Sequence, residues 1–119
     1  MYKIVLYKMS NGKTPVRDFI LNLNQDLKNK ALFCIKLLRE AGKNTVFPYA
    51  RYLEDGIYEL RPQAGNNIAR VFYFFFVDNQ IVITNGFIKK TQKTPRKEIE
   101  KAKSYRKDFL KNNGGNHEK

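Results

Sequence analysis

Cations and hydroxyls, rather than acids or thiols, are the groups whose spacing in this chain could do chemistry. Arg61 closes the run Ile57-Tyr58-Glu59-Leu60-Arg61, Arg70 opens the run Arg70-Val71-Phe72-Tyr73-Phe74-Phe75-Phe76-Val77, and Lys89 and Lys90 follow directly on Phe87-Ile88. Each stands where a β-prone run begins or ends, so an antiparallel meander would collect them along one rim. A rim of that kind can hold a phosphate. Arginine stays charged and grips two oxygens at once, whereas the ammonium of a lysine can be tuned to move a proton. Each residue also has a plainer account. Arg61 and Glu59 share a face under period-two alternation and would make a surface ion pair of small energetic weight. Arg70, beside Phe72 and Phe74 on its face, must reach the rim or find a partner, because burying an unpaired charge is costly. Tyr58, Tyr73 and Tyr105 are candidates for stacking or proton transfer, and equally for packing. The aromatic run Phe72 to Phe76 reads as core rather than as a platform for bases.

Other chemistries find little material. The one histidine, His117, lies in a Gly/Asn-rich tail, the one cysteine is Cys34, and the acids are scattered without ligand spacing, which argues against a metal site. No Gly-rich phosphate loop, Ser/His/Asp set or Cys/His pair is present either.

The elements that must position the cations follow in order. Tyr2 to Tyr7 reads as a strand, ended by the Ser10-Asn11-Gly12 turn. Thr14-Pro15 offers an N-cap and a first-position proline, and Val16, Phe19, Ile20 and Leu23 recur with helical spacing. After Asn24, the residues Ala31, Cys34, Ile35 and Leu38 repeat that spacing up to a C-cap glycine, Gly42. Two helices with so short a connection should form an antiparallel hairpin. Lys43 to Gly56 reads as a connecting loop with one helical turn. Asp55-Gly56 leads into the meander, Gly65-Asn66-Asn67 makes its first turn and Asp78-Asn79 its second. Thr94-Pro95 repeats the N-cap and proline signature, and Ile99, Ala102, Tyr105, Phe109 and Leu110 draw one apolar stripe on a basic last helix. The expected class is α+β, one antiparallel sheet with the helical hairpin on one face. A single domain over residues 1–111 and a disordered tail over 112–119 complete the expectation.

Charge sets the class of partner. The chain carries +12, from 23 Lys+Arg against 11 Asp+Glu, and +7 of that lies between Lys89 and Lys111. Such clustering suits a polyanion, or else a solvated helix face. The longest apolar run, Val71 to Val77, is seven residues, against the roughly 18 that a membrane span needs. A buried, unpaired Cys34 and the lack of a signal-peptide apolar region suit a reducing cytoplasm.

Three stretches taken together resemble a known group. Leu53-Glu54-Asp55-Gly56-Ile57-Tyr58-Glu59-Leu60-Arg61, Arg70-Val71-Phe72-Tyr73-Phe74 and Gly86-Phe87-Ile88-Lys89-Lys90-Thr91-Gln92-Lys93-Thr94-Pro95 are similar to the HigB branch of the RelE/ParE toxin superfamily, including its phage-derived members. The likeness follows element order over about residues 1 to 111. It implies a RelE-like fold and a toxin of a type II toxin-antitoxin system, a ribosome-dependent endoribonuclease that cleaves mRNA in the A site. No metal or other cofactor is implied, because the 2′-hydroxyl attacks the adjacent phosphodiester. It further implies a cognate helix-turn-helix antitoxin of HigA type, in a hetero-oligomer with the toxin. By matching positions, Arg61 and Arg70 would clamp the scissile phosphate, and Lys89 and Lys90 would stabilise charge or serve as the acid. Lys93, Tyr58 and Tyr105 are the candidates for further acid/base work. Lys93, Arg96, Lys97, Lys101, Lys103 and Arg106 would contact RNA. The chain departs from the pattern at Ile57 and Glu59, where RelE members carry lysines, and it lacks in its folded part the histidine that HigB enzymes often use. Two other readings stay open, a ParE-like inhibitor of DNA gyrase and a non-catalytic nucleic-acid-binding module.

Overall fold

From the N-terminus, residues 1–113, which the computed structural model describes, run β1 (Lys3–Leu6), α1 (Pro15–Leu21), α2 (Gln25–Ala41), a 3-10 turn (Gly42–Asn44), β2 (Ala50–Glu54), β3 (Ile57–Leu60), β4 (Gln63–Ala64), β5 (Asn67–Phe76), β6 (Gln80–Ile88) and α3 (Arg96–Asn113). The tail from 114, with His117, lies outside the described residues, and Asn112 and Asn113 extend the last helix past the expected end at 111.

The sheet has the order β1-β6-β5-β3-β2, with β4 pairing the start of β5. The α+β class holds, with three corrections of detail. First, the sheet is mixed, because β1 pairs with β6 in parallel, Ile4 beside Ile81 and Val5 beside Val82. Second, the stretch expected to be a loop before Gly56 contains β2, which pairs with β3 through a two-residue turn. Asp55 and Gly56 have φ of +51° and +78°, the left-handed pair that a tight hairpin turn requires. Asp78 and Asn79 turn β5 into β6 in the same way, with φ of +59° and +58°. Third, α3 starts at Arg96, one residue later than a cap at Thr94 implies, and the Thr94 hydroxyl is engaged elsewhere.

Period-two alternation divides the sheet residues between two cores. On one face Leu60, Ala69, Val71, Tyr73, Ile81 and Ile83 pack with Val16 and Ile20 of α1 and with Leu27, Ala31, Cys34 and Leu38 of α2. On the other, Ile57, Phe72, Phe74, Val82 and Phe87 pack with Ile99, Ala102 and Phe109 of α3. The helical pair therefore covers one face, as expected, and α3 covers the second. The aromatic run is core, with Phe72, Tyr73 and Phe74 buried. Gly42 ends α2 at φ +53°, and a Cβ there would lie inside the Tyr2 ring. Tyr7 joins the termini, its hydroxyl donating to Asp108 Oδ2 at 2.6 Å. Burial and the nearby carboxylate push that phenol up to about 12.

Candidate active site

Strand alternation puts Glu59 of β3 and Arg70 of β5 on the α3 face, and register places Arg51 of β2 directly opposite Glu59. The Glu59 side chain is wholly buried, which overturns the expectation of a surface ion pair. Arg61 Nη1 donates to Glu59 Oε2 at 2.7 Å, Arg51 Nη2 lies 3.2 Å from the same oxygen, and Arg70 Nε lies 3.6 Å from it. Thr94, from the segment leading into α3, donates its hydroxyl to Glu59 Oε1 at 3.3 Å. One buried carboxylate thus holds three guanidinium groups, and breaking such an arrangement is expensive because the survivors are left unpaired.

The three arginines differ in access. Their side chains are 50% exposed for Arg51, 18% for Arg61 and 5% for Arg70. Arg70 Nη1 donates to its neighbour's carbonyl, Ala69 O, at 2.9 Å, while its Nε is buried without a hydrogen-bond partner among the described residues. Burial, and then repulsion from Arg61, lower the Arg70 proton affinity, with Glu59 opposing. Lys89 belongs to the same electrostatic group. Its backbone N–H donates to Ile68 O at 2.8 Å and its Nζ to Gln92 O at 2.6 Å. Its pKa is lowered by desolvation first and then by Arg70, with Glu59 opposing and Arg61 and Arg51 adding. Three guanidinium groups meet one carboxylate, so the locus keeps a positive excess. Arg61 and Arg70 also line a cleft of about 530 Å³. A cleft whose charged lining is all cationic suits an oxyanion.

A family model described as Phage derived protein Gp49-like (DUF891) matches residues 18–107, a stretch that contains every member of this cluster. The chain belongs to the Gp49-like family. That family lies within the RelE/HigB-like toxin superfamily, which makes this a RelE-type, toxin-like chain. No curated protein matches it.

The remaining expected site residues of this Gp49-like chain fall into separate places. Lys90 and Lys93 are exposed on the segment between β6 and α3. Tyr58 points to the opposite face of the sheet, stacked on Tyr73 at 5.3 Å and edge-on to Tyr52 and Phe75, so the structure does not bring it to Glu59. Tyr105 stacks on Tyr7 at 4.8 Å under α3. On α3 itself, three of the cations expected to meet RNA are already engaged. Arg96 donates to both Glu54 oxygens at 2.7 and 2.5 Å and to Glu100, Lys103 donates to Glu54 at 2.6 Å, and Arg106 donates to Asp55 Oδ2 at 2.9 Å and to the Asp55 carbonyl. This network ties α3 to the β2–β3 turn and holds the Glu54 carboxyl down to about 2, through its hydrogen bonds from Arg96 and then Lys103. Lys101 lies 3.8 Å from Glu98, and Lys97 is exposed with no ion pair among the described residues.

Sequence reasoning missed Arg51 and the role of Glu59. The signal was present, because β2 and β3 flank an Asp-Gly pair and a hairpin across it sets Arg51 opposite Glu59. No helix among the described residues is long and apolar enough to cross a membrane.

Proposed function

We propose that this chain is a toxin of the HigB branch, a ribosome-dependent endoribonuclease that cuts mRNA in the A site from the cytoplasmic side of translation. The observation that carries the reading is the Glu59-centred cluster of three arginines, two of which, Arg61 and Arg70, line one cleft. The phosphate of the message sits against Arg61, with Arg70 at the back of the cleft adding positive charge. The 2′-hydroxyl gives its proton to solvent water as its oxygen bonds to phosphorus, the bond from phosphorus to the 5′-oxygen breaks, and the products are a 2′,3′-cyclic phosphate and a 5′-hydroxyl. Guanidinium groups held in place stabilise the charge that develops on the non-bridging oxygens. Lys89, its proton affinity lowered by its setting, supplies the proton to the leaving 5′-oxygen. Glu59 orients the arginines, which is why an acid is useful where RelE members carry a lysine.

Of the basic residues singled out above, Lys90, Lys93 and Lys97 are exposed to meet RNA under this reading, and Lys101 could leave its 3.8 Å contact with Glu98 to join them. A HigA-like helix-turn-helix antitoxin holds the single toxin domain inactive in a hetero-oligomer, with Leu21 and Leu32, both exposed on the helical pair, as apolar anchors.

The test is to add the purified chain to a reconstituted translation reaction and map the 5′ ends of a defined message. New ends within A-site codons that need ribosomes support the reading. An uncut message transfers the reading to gyrase inhibition or to plain binding, which a supercoiling assay separates. Arg61→Ala and Arg70→Lys are the informative variants, because Arg70→Ala would also strip Glu59 of a buried partner.

A further inference from the structure

The arginine cleft carries side chains that phosphate chemistry does not need. Phe33, Phe47 and Tyr49 line it together with Arg61 and Arg70, and they are 53%, 65% and 43% exposed. Single exposed apolar groups are ordinary, but a cluster of aromatic rings at the mouth of one cleft marks a contact surface.

Their placement is tied to the cluster. Phe33 stands on the outer side of α2, with its ring edge-on to Tyr49 at 6.3 Å. Tyr49 is fixed by its backbone, its N–H donating to Val46 O and its carbonyl accepting from the Arg61 N–H, both at 2.9 Å. Phe47 lies under the Arg61 guanidinium, 4.9 Å from carbon Cζ to the ring centroid. Arg61 therefore touches both the Glu59 carboxylate and the aromatic wall. The charged residues of the lining, Lys30, Arg61 and Arg70, are all cations. Exposed rings interleaved with cations, with no acid in the lining, suit unpaired bases on a phosphate backbone better than the apolar face of a protein helix.

We infer that Phe33, Phe47 and Tyr49 form a stacking subsite for one unpaired nucleobase of single-stranded RNA, next to the phosphate held by Arg61. The inference rests on the proposed nuclease reading for the identity of that phosphate. Stacking uses the π-face that every base has, so the subsite selects single strands over duplexes without selecting a base.

The test is fluorescence anisotropy with the full chain at low salt, using a short labelled oligoribonucleotide that is 2′-deoxy throughout its centre and so resists cleavage, and a matching oligomer with abasic central positions. Phe33→Ala and Tyr49→Ala are the variants, since neither ring is the one beneath the Arg61 guanidinium, with circular dichroism to show that each remains folded. The expected result is that each variant weakens binding of the base-bearing oligomer about fivefold to 150-fold, the range alanine substitution gives at stacking sites. Binding of the abasic oligomer should stay within about twofold, since the cations that grip its phosphates are untouched. Equal losses for both oligomers, no loss for either, or no saturable binding of the base-bearing oligomer overturns the inference. If the variants instead lose affinity for a partner protein and keep it for RNA, the aromatic wall is a protein contact and the inference is wrong. Binding is read without cleavage, so base-dependent binding with no cut message would refute the nuclease reading and leave the subsite standing.

Discussion

Replacing Glu59 by glutamine keeps the shape of the side chain and one acceptor oxygen while removing the charge that three arginines share. Arg51 and Arg61 can turn towards solvent, but Arg70, with a side chain 5% exposed, cannot. Taking one partner from a buried ion pair costs about 3–5 kcal/mol. The amide oxygen can still accept from Arg61, which returns about 1 kcal/mol. The expected loss is then about 3 kcal/mol, or about 12 °C in Tm at roughly 4 °C per kcal/mol for a chain of this size. Urea denaturation of Glu59→Gln at pH 7 reads this directly, provided the slope against urea is unchanged. The double variant Glu59→Gln/Arg70→Met supplies the control. It removes the stranded cation, and buried pairs replaced by apolar groups of similar volume are often neutral, so it should recover at least half of the loss. A single variant within about 1 kcal/mol of the parent, or a double variant no better than the single, would refute the idea that Glu59 acts by compensating Arg70.

Other outcomes follow from the same contacts. Arg61→Ala should lower message cleavage by about 100-fold or more, as loss of one preorganised donor does, with stability down by no more than about 2 kcal/mol; retained cleavage would remove Arg61 from the clamp. Lys89 has its pKa lowered from lysine's ordinary 10.5, so the alkaline limb of the cleavage rate should fall below that value and move up in Lys89→Arg, and a limb unmoved by the substitution assigns the proton to another group. Glu54 is held at about 2 against an ordinary 4.5. The stabilisation from its ion pairs is fully present above the higher value and is lost as pH falls towards the lower one, so Glu54→Gln should flatten the acid limb of the urea midpoint over that window, and an acid limb identical to the parent's would uncouple the network from folding. Tyr7→Phe, which deletes the bond to Asp108, should cost about 1 kcal/mol in urea, and a neutral result would show that α3 docks through apolar contact alone.

Local signals carried most of the fold. The left-handed turns Asp55-Gly56 and Asp78-Asn79, the helix spacing of Ala31 to Leu38 and the long aromatic strand were readable because each depends on neighbours within a few residues. Strand β2 was not, since as an edge strand it keeps Arg51 and Tyr52 exposed and shows no apolar alternation. The parallel pairing of β1 with β6 joins residues far apart in the chain, and nothing in residues 3 to 6 names that partner. For the site, alternation correctly put Glu59 and Arg61 on one face. It could not tell that this face would be buried, because burial depends on where α3 and Thr94 come to lie. The same non-local packing turned Arg96, Lys103 and Arg106 from free cations into ties to the β2–β3 turn, since Glu54 and Asp55 are more than forty residues away in sequence.

In the proposed reaction the Glu59-held arginines and Lys89 drive attack of a 2′-hydroxyl on its own phosphodiester. Mass spectrometry of the ends left on a short message, cut on programmed ribosomes, tests it most directly. The expected products are a 2′,3′-cyclic phosphate on one side and a 5′-hydroxyl on the other, with cleavage abolished when the nucleotide before the cut is 2′-deoxy. A 5′-phosphate product, or cleavage that survives the 2′-deoxy substitution, would contradict it.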